Sequence, residues 1–363
     1  MSILDKLPII RSIKHAVAQQ AAKYFIQASL VEGILKGSDQ PFRILFFGKR
    51  HFTKYLQKRM YQQQPNVLRT WRIPIKSIKQ AVAQNPYTAD LCVAILPKSQ
   101  PILENIYSYK GTELVRQAIN TSGDWEYIRK KFSSKKRRIA NNFEKKFGLG
   151  FRISRDKHDL QTFHTHMFAP LIKKRFGDLA EIESVDEMQE FFQKGFLLFV
   201  TKDGTDLAGN LCHVEGDTLV LRRAGVLDGD DSHVEAGAQT ALYYFGLKYA
   251  NEQGLRTADA MMSDPFLNDG VYMTKREWGA VVSPSDDFDT WVYFINLGSK
   301  QALAHFYAKN PFIALTDTGL KGLIGIPEEQ PTPELLETTL RPYRSEGLTG
   351  FIILTSSGTM EAE

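Results

Sequence analysis

Cysteine is nearly absent from this chain. Of 363 residues only Cys92 and Cys212 are cysteines, and each lies in an apolar, strand-like run. A disulfide scaffold and a Cys-rich zinc site are both excluded, and a reducing compartment is the expected home. Long apolar runs are missing too. Nothing approaches about 18 consecutive apolar residues, so no transmembrane helix is expected. Asp5 and Lys6 interrupt the first residues and no long apolar stretch follows, so no signal peptide is expected. There is no G-x-x-x-x-G-K-S/T, which excludes a P-loop enzyme, and no G-x-S-x-G, which excludes a nucleophile elbow. Gly148-Leu149-Gly150 follows a helical pattern and not a strand, so it is no dinucleotide fingerprint. Nothing repeats at a fixed period, which argues against a solenoid.

Metal ligands in a workable pattern are also lacking. His158, His164 and His166 cluster in sequence. On a helix, positions 164 and 166 point about 200° apart and cannot share one ion. The acidic loop DGDD at 228–231 resembles half of a calcium loop but has no glutamate at the twelfth position. It reads as a strand-to-helix connection, and no metal is expected.

What is present is ordinary globular composition, 43% hydrophobic and 24% charged, which excludes disorder as the main state. At roughly 150 residues per domain the length predicts about two domains, each able to bury a core without staples. The net charge of +5 is not spread evenly. Residues 129–146 hold nine Lys/Arg against the single acid Glu144, a local +8, which leaves the rest of the chain at −3. Such a run is a solvated helix face, or it binds phosphates of a nucleotide, a tRNA or a lipid carrier, or it lies on anionic lipid.

Hydrophobic periodicity places the elements. Residues 2–36 read as an amphipathic helix, broken or started near Pro8, with Ile9, Ile13, Val17, Ala21, Tyr24 and Ala28 on one side. Residues 42–47, 67–71 and 89–96 read as strands, with a helical pattern at 51–62, which suggests an α/β layer. Residues 98–123 are turn-rich and read as a linker. From 124 to 147, Trp125, Ile128, Phe132, Ile139, Phe143 and Phe147 define one helical face. A strand at 151–154 follows, then a helix capped by Asp156 that Pro170 kinks or ends. A helix at 184–193 leads to strands at 196–201, 207–214 and 218–226, joined by the turns Asp203-Gly204 and 215–217. A long helix at 235–253, a strand at 257–260, strands at 280–283 and 290–295, and a last small set of elements complete the pattern. Between them, ADAMMSDPFLNDGVYMTKREWGA packs polar and turn residues after a buried strand end, where ligands bind in α/β sheets.

This order of elements resembles the GNAT acyltransferase fold, and more closely its FemAB-like branch, which carries two GNAT-like halves. WEYIRKKFSSKKRRIANNFEKKFGLGFRIS resembles the family's Lys/Arg-rich helix leading into a first strand. Residues 196–226 look like its meander, with Leu207-Ala208-Gly209 on the substrate-pocket strand. DPFLNDGVYMTKREWGA is similar to the family's D-G-(x)-Y-x-(F)K-x-x-(F/W)-G signature. Together these cover a little under half the chain.

The resemblance implies an α/β fold of the α+β mixed-sheet kind, with mixed central sheets flanked by helices. It implies a degenerate N-terminal half at 1–123, possibly completed by 300–363, and an acyltransferase half at 124–299. The activity implied is N-acyl or aminoacyl transfer from an activated thioester or ester donor to an amine on a cell-envelope or polysaccharide precursor or a small metabolite. Lys275 matches the lysine that stabilises the transition state. Tyr272 is the expected proton donor to the leaving group. Glu235, Asp259 or Asp264 is expected to position the amine or take its proton, with Asp264 joining the catalytic set. Asp259, Asn268, Asp269, Trp278, Arg222 and Arg223 are expected to line the substrate. Arg129, Lys130, Lys135, Lys136, Arg137 and Arg138 are expected to meet the donor's phosphates.

The donor implied is acyl-CoA or aminoacyl-tRNA. The stretch before the long helix reads SHVEAGAQTAL, with Glu235 where an acetyl-CoA-dependent relative holds the pyrophosphate, and the coiled-coil insertion of FemAB-type enzymes is missing. The expected location is cytoplasmic, with tRNA and peripheral contact with the inner membrane as candidate partners. The competing readings are a binding module whose basic helix docks nucleic acid or anionic membrane, and a pseudoenzyme in a larger complex.

Overall fold

The computed structural model describes residues 24–48, 50–100, 102–103, 108–180 and 182–362. The chain opens with strands Phe25–Ile34 (β1) and Pro41–Phe47 (β2), helix Arg50–Met60 (α1), strand Asn66–Pro74 (β3), helix Ile78–Gln84 (α2), and strands Leu91–Pro97 (β4), Ser108–Gly111 (β5) and Val115–Asn120 (β6). Next come helices Trp125–Lys130 (α3) and Ser134–Phe143 (α4), strand Gly150–Ser154 (β7), and helices Lys157–Phe163 (α5), Ala169–Phe176 (α6) and Val185–Phe192 (α7). A meander of Gly195–Lys202 (β8), Thr205–Glu215 (β9) and Thr218–Val226 (β10) leads to helices Asp231–Glu235 (α8) and Ala238–Glu252 (α9). Strand Thr257–Ser263 (β11), helix Gly270–Glu277 (α10) and strands Val281–Pro284 (β12) and Thr290–Asn296 (β13) follow. The chain closes with helix Lys300–Lys309 (α11), strands Phe312–Thr316 (β14) and Gly319–Gly325 (β15), helix Pro333–Leu340 (α12), and strands Leu348–Leu354 (β16) and Thr359–Ala362 (β17).

These strands form two mixed sheets flanked by helices, a mixed α/β fold. Among the described residues, one sheet has ten strands in the order β17-β16-β15-β14-β5-β13-β4-β2-β1-β3, and the other has seven in the order β12-β6-β11-β10-β9-β8-β7. In the second sheet only β10 and β11 run parallel. Strand β6 lies in the seven-stranded sheet although it precedes residue 123, and β13 lies in the ten-stranded sheet although it precedes residue 299. Strands β14 to β17 extend the sheet that β1 to β5 begin.

Several expectations from the sequence need correction. Residues 25–34 form a strand and not a helix. Ala28 and Leu30 face one core and Val31 the other, the period-two alternation of a strand covered on both faces. Ile9, Ile13, Val17 and Ala21 lie outside the described residues. The expected linker at 98–123 contains β5 and β6, each paired along one or both edges. The expected single helix at 124–147 is two helices. The seven-residue gap between Phe132 and Ile139 is where it breaks, and Ser133 caps the second helix by accepting from the Lys136 amide at 3.2 Å. Pro170 neither ends nor follows a simple helix. A π-turn at His164–Phe168 precedes it, and Pro170 sits in the first turn of α6, where a missing amide costs nothing.

The core of the seven-stranded sheet lies between its strands and helices α3, α4 and α9. Trp125, Phe132 and Trp278 pack edge to face there, with the Phe132 and Trp278 centroids 4.9 Å apart. The opposite face is covered by α5, α6 and α7 through Leu160, Phe163, Met167 and Phe192 against Leu197, Phe199 and Leu211. The π-turn rests directly on β10. A Cβ at Gly225 would lie 2.6 Å from the carbonyl carbon of Met167, so only glycine allows this approach.

Candidate active site

The site is built where β10 and β11 part. The parallel ladder joins Thr218–Thr257, Leu219–Ala258 and Val220–Asp259, then stops. Strand β11 bulges immediately afterwards, with its register against β6 shifting between Asp259 and Met262. Met261 takes a left-handed φ of 64° in that bulge. Asp259 holds the conformation: its Oδ1 accepts from the Met261 amide at 2.7 Å and its Oδ2 from Arg116 Nε at 2.8 Å.

The bulge turns two backbone carbonyls toward helix α10. Lys275 Nζ donates to the Met261 carbonyl at 3.2 Å and to the Met262 carbonyl at 2.7 Å. The ammonium has three hydrogens, so one remains for a further acceptor. Lys275 is only 3% exposed. Burial lowers its pKa to about 8, against the opposing pull of Asp259, Asp269 and Asp264. Helix α10 is fixed at its start by Asp269, whose carboxylate accepts from the amides of Val271 and Tyr272, both at 2.9 Å.

Asp264 stands on the loop between β11 and α10. Burial first, and then the negative charge of Asp269, push its carboxyl up to about 7, while Lys275 opposes the rise. The Tyr55 hydroxyl of α1 donates to its Oδ2. One turn further on the same helix, Arg59 donates to Asn268 Oδ1 at 2.6 Å, pairs with Asp269 at 3.8 Å, and lies 4.0 Å over the Phe266 ring. The loop is also stitched to the ten-stranded sheet. Phe266 bridges Phe312, the Leu267 amide donates to the Pro311 carbonyl at 2.9 Å, and the Ile313 amide donates to the Pro265 carbonyl at 2.8 Å. The loop that holds Asp264 is therefore also the joint between the sheets.

The structure brings together Lys275, Asp264, Asp259, Asn268 and Asp269 from the expected set. Arg222 and Arg223 stand on the adjacent strand β10. Both bind the carboxylate of Glu183, at 3.1 and 2.7 Å, and the Arg222 guanidinium lies 3.3 Å over the Phe191 ring. Tyr272 and Trp278 are fully buried core residues. The Trp278 indole N–H is buried without a hydrogen-bond partner, and Tyr272 packs with Leu267, Leu320 and Phe351. Burial raises the Tyr272 pKa. Glu235 is exposed at the end of α8.

The basic run divides into two groups. Arg129 pairs with Glu126, Lys136 is buried and pairs with Glu277 at 3.4 Å, and Arg137 donates to the carbonyls of Lys130 and Phe132. Lys130, Lys135 and Arg138 are exposed, as are Lys145 and Lys146. Tyr55, Arg59 and Arg116 were not visible as site residues in the sequence. Tyr55 and Arg59 reach partners 209 positions away, and Arg116 reaches one 143 positions away. The one available signal was the four-residue spacing of Tyr55 and Arg59, which puts both on one face of a helix.

No family model matches the chain, and no curated protein matches it in sequence. Solved structures resemble it at low identity. FemX is 12% identical with a TM-score of 0.40, over 77% of this chain and 86% of its own. L-PGS from Bacillus licheniformis is 12% identical with a TM-score of 0.33, over 73% and 83%. A GCN5-related N-acetyltransferase from Sphaerobacter thermophilus is 10% identical with a TM-score of 0.32, over 70% and 73%. Likeness at this level carries no argument about activity. Among the described residues no group of three or more His, Cys, Asp or Glu is arranged to hold a metal, and no helix is long and apolar enough to cross a membrane. The latter says nothing of a β-barrel.

Proposed function

We propose that the chain is an N-acyltransferase that moves an acyl or aminoacyl group from an activated thioester or ester to an amine. The observation that carries this reading is the buried Lys275, held by two carbonyls of the β11 bulge beside Asp264, at the point where β10 and β11 part. Asp264, with its carboxyl near neutral pH, suits the general base. The acceptor nitrogen attacks the donor carbonyl and its proton passes to Asp264; the C–S or C–O bond then breaks, and the protonated Asp264 returns that proton to the leaving sulfur or oxygen. The remaining Lys275 hydrogen faces the oxyanion that develops between these steps. Tyr55 replaces Tyr272 in this reading as the hydroxyl beside the reacting atoms, because Tyr272 is sealed in the core.

The donor is acyl-CoA or aminoacyl-tRNA, and its phosphates meet the exposed cations Lys130, Lys135 and Arg138. Arg129, Lys136 and Arg137 shape that helix pair through internal partners. The acceptor amine belongs to a small metabolite or an envelope precursor.

The test is transfer of a labelled acyl or aminoacyl group to an amine panel, with each donor class in turn. Lys275→Ala is expected to fold and to lose about 10²–10³ in turnover. Full turnover in Lys275→Ala ends the site assignment. Binding of nucleic acid or anionic vesicles without transfer from any donor favours a binding module instead.

A further inference from the structure

We infer that the free edge of the ten-stranded sheet, strand β3 with helices α1 and α2 on either side of it, docks on an anionic lipid surface. Such docking requires nothing of acyl transfer. It rests on where the fold gathers charge and leaves aliphatic side chains in water.

Residues 40–89 hold ten Lys/Arg and no Asp or Glu. Together with the +8 of residues 129–146, this leaves the rest of the chain at −13. The protein is therefore acidic apart from two basic stretches. The fold collects the first of them on one rim. Strand β3 ends the ten-stranded sheet and pairs with β1, and no described strand pairs with its other edge. Helix α1 covers one face of β1 through Leu56 and Met60, which pack with Val31. Helix α2 covers the other through Ile78 and Val82, which pack with Ala28 and Leu30. Arg72 is opposite Gln27 and stands on the α1 face, whereas Arg69 is opposite Leu30 and stands on the α2 face. Lys54 and Lys58 of α1 add two cations to the rim, and Lys76 and Lys79 at the start of α2 add two more.

All six of these side chains are exposed, and none forms an ion pair with a described residue. Glu32 of β1 is taken by Arg43. Like charges without counter-charge repel one another, and an anionic surface relieves that repulsion. Among them stand two aliphatic side chains, Val67 at 55% exposure and Leu68 at 47%, where the register of β3 against β1 shifts. A nucleic-acid backbone would engage the cations and leave these aliphatics wet, whereas a bilayer interface takes both. Trp71 offers no open face to a base: it packs on Tyr87 with centroids 5.0 Å apart, and the Arg69 guanidinium lies 5.0 Å over its ring. Charges that only keep an edge from pairing need not exclude acids over fifty residues, and they leave the exposed Val67 and Leu68 unexplained.

The experiment is co-sedimentation of the full chain with phosphatidylcholine vesicles, with and without phosphatidylglycerol, over a range of salt. Binding is expected only with phosphatidylglycerol, and it is expected to weaken steeply as salt rises. Each cation at the surface is expected to contribute about fivefold. The combined variant Arg69→Gln, Arg72→Gln, Lys76→Gln and Lys79→Gln is therefore expected to bind at least tenfold more weakly. Val67→Ser with Leu68→Ser is expected to weaken binding several-fold and to leave its salt dependence unchanged. No binding by the parent to phosphatidylglycerol vesicles, or binding indifferent to salt, overturns the inference without any variant. A loss just as large from Lys130→Gln, Lys135→Gln and Arg138→Gln marks unspecific charge attraction and overturns the assignment to this rim. A rim variant that loses tRNA binding while it keeps vesicle binding assigns the rim to nucleic acid and also overturns it.

Discussion

Tyr55 and Asp264, 209 residues apart in sequence, are joined by a hydrogen bond from phenol to carboxylate. One belongs to a helix beside the ten-stranded sheet, and the other to the loop that leaves the seven-stranded sheet. The proposed base thus accepts a hydrogen bond from a residue that no local motif contains.

Tyr55→Phe removes a donor to the ionised carboxylate and leaves the burial unchanged. The charged form loses support, so the Asp264 pKa rises further above about 7. A hydrogen bond to a charged group implies a shift of about one to two units. The acid limb of kcat/KM against pH is expected to move to higher pH by that amount. An unmoved limb contradicts the role of Tyr55.

Asp264 also links stability to pH. The folded carboxyl keeps its proton up to about pH 7, whereas the unfolded one loses it near 3.8. The folded state binds more protons between these values, so this group's contribution to stability falls as pH rises through that window. Asp264→Asn does not titrate. Its urea midpoint, relative to the parent, is expected to rise from pH 4 to 7, by on the order of a few kcal/mol in total. A difference that stays flat or falls over that interval contradicts the raised pKa.

Asp269 does two separable things. Asp269→Ala removes the cap of α10 and is expected to cost about 1 kcal/mol in chemical denaturation. Asp269→Asn keeps a capping oxygen but removes the charge, so its stability is expected to stay within about 0.5 kcal/mol of the parent. Both variants lower the Asp264 pKa, because the negative charge of Asp269 helps to raise it. The pH profile of transfer reads that shift, and an Asn variant as unstable as the Ala variant contradicts the capping role.

Strong local periodicity made much of the fold legible. The β8–β9–β10 meander is marked by Asp203-Gly204 and the turn before Thr218, and it appears where its apolar runs place it. The strand Phe25–Ile34 was hidden because Tyr24 and Ala28 continue a helical spacing, and tertiary burial on both faces overrides it. Strand β5 has only four residues, too few for a periodic signal against a turn-rich background. Lys275 and Asp264, which the proposed function uses, stand in a dense polar segment that local sequence marks out. Arg116 could not be found that way, since its partner Asp259 meets it only through antiparallel pairing across 143 residues. Tyr272 is expected at the site from the family resemblance and Trp278 from the polar segment that holds it, and both are buried in the core. Their place in the core follows from helix α10 lying flat against β6 and β11, which spacing alone does not specify.

The bridge between Phe266 and Phe312 has a consequence for the order of assembly. The loop that presents Asp264 is held on one side by α1, made early, and on the other by residues 311–313, made late. During synthesis the whole seven-stranded sheet can form while this loop still lacks its second anchor. A nascent chain that ends before Pro311 therefore carries every proposed reacting side chain but holds the loop of the base by one anchor of two, so the full constraint arrives near the end of translation.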